Sequence, residues 1–184
     1  GTKSMDDFAQ AFFGINDGDW GEVTYSFDDI VKTLQSIVPY DWAALLKARL
    51  TEHARGAPLK GLTDNGYRLV YTDKQTPYLK DRERSARVTD LSYSLGLVVS
   101  SRTHAVTSVM WDGPAFNAGL DIGTEIVAIN AVSYSDDALR QAVADARNGK
   151  DPIRLLVKNG ERFREVAIDY HGGLRYPRLE KTGT

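Results

Sequence analysis

The chain has 184 residues, of which 42% are hydrophobic and 26% charged, with a formal net charge of −2 and a pI near 5.9. That length holds one ordinary domain plus a smaller unit, and that balance belongs to a chain that buries a real core. The near-neutral charge gives no global attraction to nucleic acid or to an anionic membrane, and no apolar run approaches the ~20 residues of a membrane span. The absence of cysteine excludes disulfides and thiolate zinc sites while suiting periplasm and cytosol equally.

The first residues, Gly1-Thr2-Lys3-Ser4, lack an initiator methionine and run straight into a helix signal, so an internal piece of a longer protein is expected. Ser4-Met5-Asp6-Asp7 is a capping box, in which the Ser4 hydroxyl takes an orphan amide of the first turn while Asp7 reaches back. It predicts a helix to Phe13, ended by Gly14. The loop that follows, Asn16 to Gly21, carries alternating carboxylates at Asp17 and Asp19. Its glycine is misplaced for a calcium loop, and the twelfth position, Asp28, is wanted at a helix start. Ser26-Phe27-Asp28-Asp29 repeats the capping device and opens a second helix, Ile30 to Val38, stopped at Pro39. Asp41 caps a third, Trp42 to His53, with Trp42, Leu45, Leu46 and Leu50 near the helical period and Gly56-Ala57-Pro58 as its terminator. Residues 1–60 thus read as a helical unit.

Residues 61–90 read as a connecting strand and linker. Tyr67 to Thr72 is the strand, whereas Asp73 to Thr89 is polar and highly charged, and its basic run Lys80 to Arg87 reads as solvated. Strands follow at Leu95 to Ser101, Ala105 to Met110 and Glu125 to Ile129. Asp136 to Arg147 reads as a helix with Leu139, Ala142, Val143 and Ala146 on one face. Ile153 to Val157 and Phe163 to Ile168 form a hairpin across Asn159-Gly160, a pair that supplies the positive backbone angles of a tight turn. Residues 172–184 read as a short polar tail.

Hydrolytic zinc needs converging ligands, usually two histidines one helical turn apart with a glutamate beside the first. The chain has only His53, His104 and His171. Glu52-His53 has no second histidine a turn later and reads as a helix-end cation, while His104 and His171 sit at turns. No Gly-x-Ser-x-Gly elbow occurs, and Ser92, Ser94, Ser100 and Ser101 read as turn and edge-strand residues. No catalytic or metal-ligating residue is expected in this chain.

What remains is recognition. An apolar-Gly-apolar turn, Ser94-Leu95-Gly96-Leu97, is followed by the corner Gly113-Pro114-Ala115-Phe116-Asn117-Ala118-Gly119-Leu120 and by Gly123-Thr124-Glu125-Ile126-Val127-Ala128-Ile129-Asn130. In that order these segments resemble a PDZ domain, here spanning residues 91–171, in which an extended peptide adds to a sheet edge beside one helix. The expected site has amides of Ser94, Leu95, Gly96 and Leu97 around a terminal carboxylate. Leu97 to Ser101, with Val99, would offer an unpaired strand edge, and Leu139 and Val143 would form the opposite wall. Leu95 and Leu97 also fit a plain buried strand. Asp136 and Asp137 at the helix start either favour a basic ligand residue or serve as caps.

The resemblance extends further. Ser4 to Gly14, Tyr25 to Val31, Pro39-Tyr40-Asp41-Trp42, Gly66 to Tyr71 and Tyr93 to Leu97 are similar to the C-terminal part of the glycyl aminopeptidase family, thermolysin-like zinc metallopeptidases with a PDZ domain behind the catalytic domain. It implies an α+β fold: a small helical unit, the end of the catalytic lobe, then a PDZ-like partly open β-barrel or sandwich with a flanking helix. It also implies zinc in the full-length parent and no cofactor in this chain, whose sequence lacks the H-E-x-x-H ligands. Implied partners are a peptide or protein C-terminus and the missing catalytic domain, with self-association through the helical segment and no nucleic acid. A periplasmic or extracellular location is preferred. The alternatives are a stand-alone PDZ adaptor and a purely structural PDZ domain with its groove occupied in cis.

Overall fold

Local capping sets the first three helices. The computed structural model describes residues 2–16, 18–52 and 56–183; the parts of the above readings that fall on Asp17 and His53 lie outside them. Ser4 caps α1 (Met5–Phe13) and Ser26 caps α2 (Phe27–Ile37), each through a complete capping box with the aspartate at the third position. The Asp41 side chain accepts from the Ala44 amide and caps α3 (Trp42–Thr51). Phe8 stacks on Phe12, which meets Tyr25 edge-on. None of the three helices contains a buried residue. Phe13 and Leu50 are mostly exposed and Trp20 entirely so.

The chain divides into two compact units, Gly1–Ala57 and Pro58–Thr184. In the second, α4 (Lys60–Asp64) leads into β1 (Tyr67–Thr72), which pairs antiparallel with the last strand, β9 (Tyr176–Lys181). The C-terminal stretch read as a polar tail is therefore half strand. Its polar side chains fit a two-stranded ribbon with an exposed face, where Arg68 and Glu180 pair.

The stretch read as a solvated linker is ordered too. It forms α5 (Pro77–Ala86), capped by Thr76, and β2 (Val88–Leu91). Sheet β2-β3-β4 comprises β2, β3 (Leu97–Ser100) and β4 (Val106–Val109) in that order. The short helix α6 (Pro114–Asn117) follows. The second sheet has the order β6-β5-β7-β8, from β5 (Glu125–Ile129), β6 (Val132–Ser133), β7 (Ile153–Asn159) and β8 (Arg162–Ile168). Helix α7 (Asp136–Ala146) links β6 to β7. The sheets meet at an isolated bridge, Ala105 to Glu125. Both are antiparallel and open, so the fold is α+β without a closed barrel.

One hydrophobic core joins these layers. Leu91, Leu97 and Val99 come from the first sheet and Leu95 from the turn between β2 and β3, Ile126, Ile129, Leu155 and Val157 from the second sheet, and Leu139, Ala142, Val143 and Ala146 from α7. The end of α7 is tied from outside the helix. His171 Nδ1 lies 2.8 Å from the Ala146 carbonyl, and its Nε2 lies 3.0 Å from Asp169.

Both neighbours of His171 are acceptors, so only the imidazolium, a donor at both nitrogens, satisfies them together. The Ala146 carbonyl, first, and then Asp169 raise its pKa above the ordinary 6.5 against the opposing effect of desolvation. A pKa raised on folding adds stability that is full below the unfolded value and fades as pH rises through the folded one. Denaturant unfolding should therefore show wild type losing stability from pH 6 towards pH 8 by an increment missing in His171→Gln. Parallel pH profiles for the two proteins would contradict this tie.

Candidate functional site: a groove between β3 and α7

Glycine makes the loop possible. Gly96 sits at φ +74°, and a β-carbon there would lie 3.3 Å from Met110 Cβ and 3.4 Å from Gly113 Cα. The backbone turns back sharply there, so the Ser94 and Gly96 amides both donate to one oxygen, the Leu91 carbonyl, at 3.0 Å each. The Gly96 and Leu95 carbonyls accept from Met110 and Ala115, which fastens the loop to the corner before α6. The Ser94 hydroxyl accepts from the Arg175 amide.

These contacts locate the expected site residues. Ser94, Leu95 and Gly96 form the turn, Leu97 and Val99 lie on β3, and Leu139 and Val143 lie on α7. All seven belong to one region, and the five apolar side chains among them are fully buried in a single cluster. The edge of β3 expected to be unpaired is not. β4 pairs along one side and β2 along the other, in register Val88 to Ser100, Thr89 to Val99, Asp90 to Val98 and Leu91 to Leu97. The chain's own residues 88–91 thus occupy the position in which an added strand was expected, antiparallel to β3 and with their C-terminal end at the loop.

Side chains on β2 alternate in burial, Thr89 and Leu91 inward, Val88 and Asp90 less so. Leu91 is 1% exposed and shares the core with Leu95, Leu97, Leu139 and Val143. Burying a leucine stabilises by about 1.5–3 kcal/mol. Thr89 is 0% exposed, and its hydroxyl meets the first turns of α7. Arg140 Nη2 donates to Thr89 Oγ1 at 3.3 Å and to Glu83 Oε2 at 2.8 Å. Glu83 Oε1 in turn accepts from the Asp90 amide at 2.9 Å, on the edge of β2 turned away from β3. Arg82 pairs with the Asp90 carboxylate.

Asp136, at the head of α7, completes this end. Partial burial opposes its ionisation, but hydrogen bonds from Ser101, Tyr134 and Thr89, together with the Arg140 charge, outweigh it and hold the carboxyl below the usual range. Its partners are thus groups of the chain itself. Asp137 is fully exposed, 3.5 Å from Arg140. Among the described residues no group of three or more His, Asp or Glu gathers as a metal site would require, and no helix is long and apolar enough to cross a membrane.

Thr89, Leu91, Glu83 and Arg140 were not among the residues expected at the site. A signal for the first two stands in the sequence, since Val88-Thr89-Asp90-Leu91 alternates and abuts the Ser92–Ser94 turn. Nothing local marks the other two, because the Glu83–Arg140 pair spans 57 positions.

No protein-family model matches the sequence, and neither does any curated protein. Among solved structures, an aminopeptidase N family protein from Idiomarina loihiensis superposes with TM-score 0.56 at 16% identity over 86% of this chain. The chain spans 27% of that protein's chain, and the likeness is one of fold. The PDZ domain of HtrA3, bound to a phage-derived ligand (FGRWV), is also matched, at TM-score 0.30 and 19% identity over 62% of this chain and 91% of that one.

Gly96→Ala should cost about 1–2 kcal/mol for the left-handed backbone alone, with more from the contacts to Met110 and Gly113. Urea unfolding measures it, and a neutral substitution would contradict the loop geometry.

Proposed function

We propose that this chain is the non-catalytic C-terminal region of a zinc metallopeptidase of aminopeptidase type, and that its second unit is a PDZ-like strand-accepting module. The module positions other parts of the enzyme or its substrate and cuts nothing itself. One observation carries the reading of the module. The Ser94 and Gly96 amides converge on the carbonyl that ends a strand lying between β3 and α7. Main-chain pairing supplies affinity in such sites and alternate side-chain pockets supply specificity. Here both are taken up by β2, so the purely structural form, with the groove occupied in cis, is the state this geometry favours.

The assignment to a metallopeptidase is supported by the ordered segments from Ser4 to Leu97 described above and by the fold likeness to the aminopeptidase N family protein. The zinc ligands belong to the parent, since the sequence contains no H-E-x-x-H. Exposed Phe13, Ile15, Trp20 and Leu50 of the helical unit suit contact with the rest of a catalytic lobe or with a second copy. A periplasmic or extracellular location goes with this reading. Peptide binding in trans is the second reading, favoured by the antiparallel seat that β2 occupies.

Two measurements on the full chain test the proposal. Metal analysis after dialysis, with an aminopeptidase assay alongside, should find neither stoichiometric zinc nor turnover. Calorimetric titration with free-carboxylate pentapeptides should show weak or no saturable binding to wild type. One tightly held zinc with turnover would overturn the non-catalytic assignment, and micromolar peptide binding by wild type would overturn cis occupancy.

A further inference from the structure

We propose that the second unit holds an anion site where α5 and the turn after β3 meet the head of α7. A cleft of about 720 Å³ lies there, and the chemistry of its walls fits a small diphosphate anion, free or esterified. The inference is independent of the metallopeptidase reading and of what occupies the side of β3.

Charge is the first argument. Five cations line the cleft against three carboxylates. The cations come from three separate elements: Lys80, Arg84 and Arg87 from α5 and its C-cap, Arg102 from the turn after β3, and Arg140 from α7. Two of the carboxylates are engaged by the chain itself. Glu83 accepts from the Asp90 amide and the Arg140 guanidinium, and Asp136 accepts from the Tyr134 hydroxyl at 2.9 Å. The third, Asp137, is fully exposed and meets Arg140 at 3.5 Å. Arg84 pairs with Asp81 on the open surface. Among the described residues Lys80, Arg87 and Arg102 enter no ion pair, so like charges from two sides of one cleft stand unneutralised.

Hydrogen bonding is the second. Gln75 Nε2 and Arg140 Nε are buried donors without an acceptor, and both residues line the cleft. Arg140 uses its Nη2 on Glu83 and Thr89, which leaves its Nε as a donor still open. A donor buried without a partner is destabilising, and an oxyanion seated in the cleft supplies the acceptor. Guanidinium forks match phosphate bidentately, whereas the Lys80 ammonium acts as a point charge. Valence separates the anions: a single carboxylate offsets one of the three unpaired cations, and a diphosphate offsets most of them. The volume falls within the roughly 300–1,000 Å³ of small-molecule sites, so a group esterified to the diphosphate has room. The basic run Lys80 to Arg87, which reads as solvated in the sequence, thereby acquires a ligand.

The test is calorimetric titration of the full chain at low ionic strength with inorganic pyrophosphate, methyl diphosphate and citrate. Wild type is compared with Lys80→Gln/Arg102→Gln, two exposed side chains that enter no ion pair among the described residues. The control is Arg154→Gln/Arg162→Gln, an equal change of net charge on the second sheet at residues that do not line the cleft. Spectra of the arginine Nε–H groups, recorded alongside, report on the site itself.

At least one diphosphate should bind wild type saturably, with a Kd below about 1 mM, and the tighter of the two names the source as inorganic or esterified. Lys80→Gln/Arg102→Gln should weaken that binding on the order of tenfold. Arg154→Gln/Arg162→Gln should leave it unchanged, and the Arg140 Nε–H resonance should shift in wild type as the site fills. Citrate binding as tightly as the diphosphates overturns the phosphate assignment. No saturable binding of either diphosphate, or an equal loss in the two variants, which marks diffuse attraction, overturns the site. Should Lys80→Gln/Arg102→Gln unfold, an unmoved Arg140 resonance in wild type at saturating diphosphate overturns it alone.

Discussion

Two amides, those of Ser94 and Gly96, donate to the carbonyl of Leu91, and the arrangement of the second unit depends on that convergence. It closes a loop that brings residues 88–91 alongside 97–100 in register. The register places Leu91 in the core and Thr89 under α7; a shift of one residue would bury Asp90 and expose Leu91, because side chains alternate along a strand. Gly96 is the constraint within the constraint, since its positive φ strains any other residue and a β-carbon there would press on Met110 at 3.3 Å.

Polar burial around β2 is tolerable only because it is shared. Glu83 is buried, Thr89 fully so, and Arg140 is partly covered. An unpaired buried charge is costly, and pairing with hydrogen bonding offsets that cost. Glu83 satisfies a strand amide and a guanidinium at once, and Arg140 satisfies Glu83 and the Thr89 hydroxyl. The same few bonds fasten β2 between β3 and the head of α7.

Local signals were legible in the sequence. The Ser4, Ser26 and Asp41 caps, β1 at its observed limits, the Asn159-Gly160 hairpin and the four apolar residues of α7 all rest on interactions within a few residues. The α+β class and the grouping of Leu95, Leu97, Val99, Leu139 and Val143 came instead from the resemblance of the ordered glycine-bearing segments to a PDZ domain. What escaped was non-local. Lys80 to Arg87 has the composition of a solvated linker, and only Arg140, far along the chain, gives Glu83 a reason to be buried. Tyr176 to Lys181 is polar enough for a tail, and only pairing with Tyr67 to Thr72 makes it a strand. The expected free edge of β3 failed for the same reason, since the strand that covers it was hidden at the end of that charged run.

The helical unit stands on different physics. Its helices are individually well capped, yet none buries a residue and large aromatics remain in the open. The second unit is the self-sufficient one, and the seat of β2 is its central feature. The most direct measurement is a nuclear Overhauser map of the full wild-type chain in solution. Cross-strand contacts from Thr89 to Val99 and from Leu91 to Leu97, with contacts from the Thr89 methyl to Arg140 on α7, are the result predicted for a groove filled by its own strand. Their absence in a folded protein, with residues 88–91 free of β3, would contradict it.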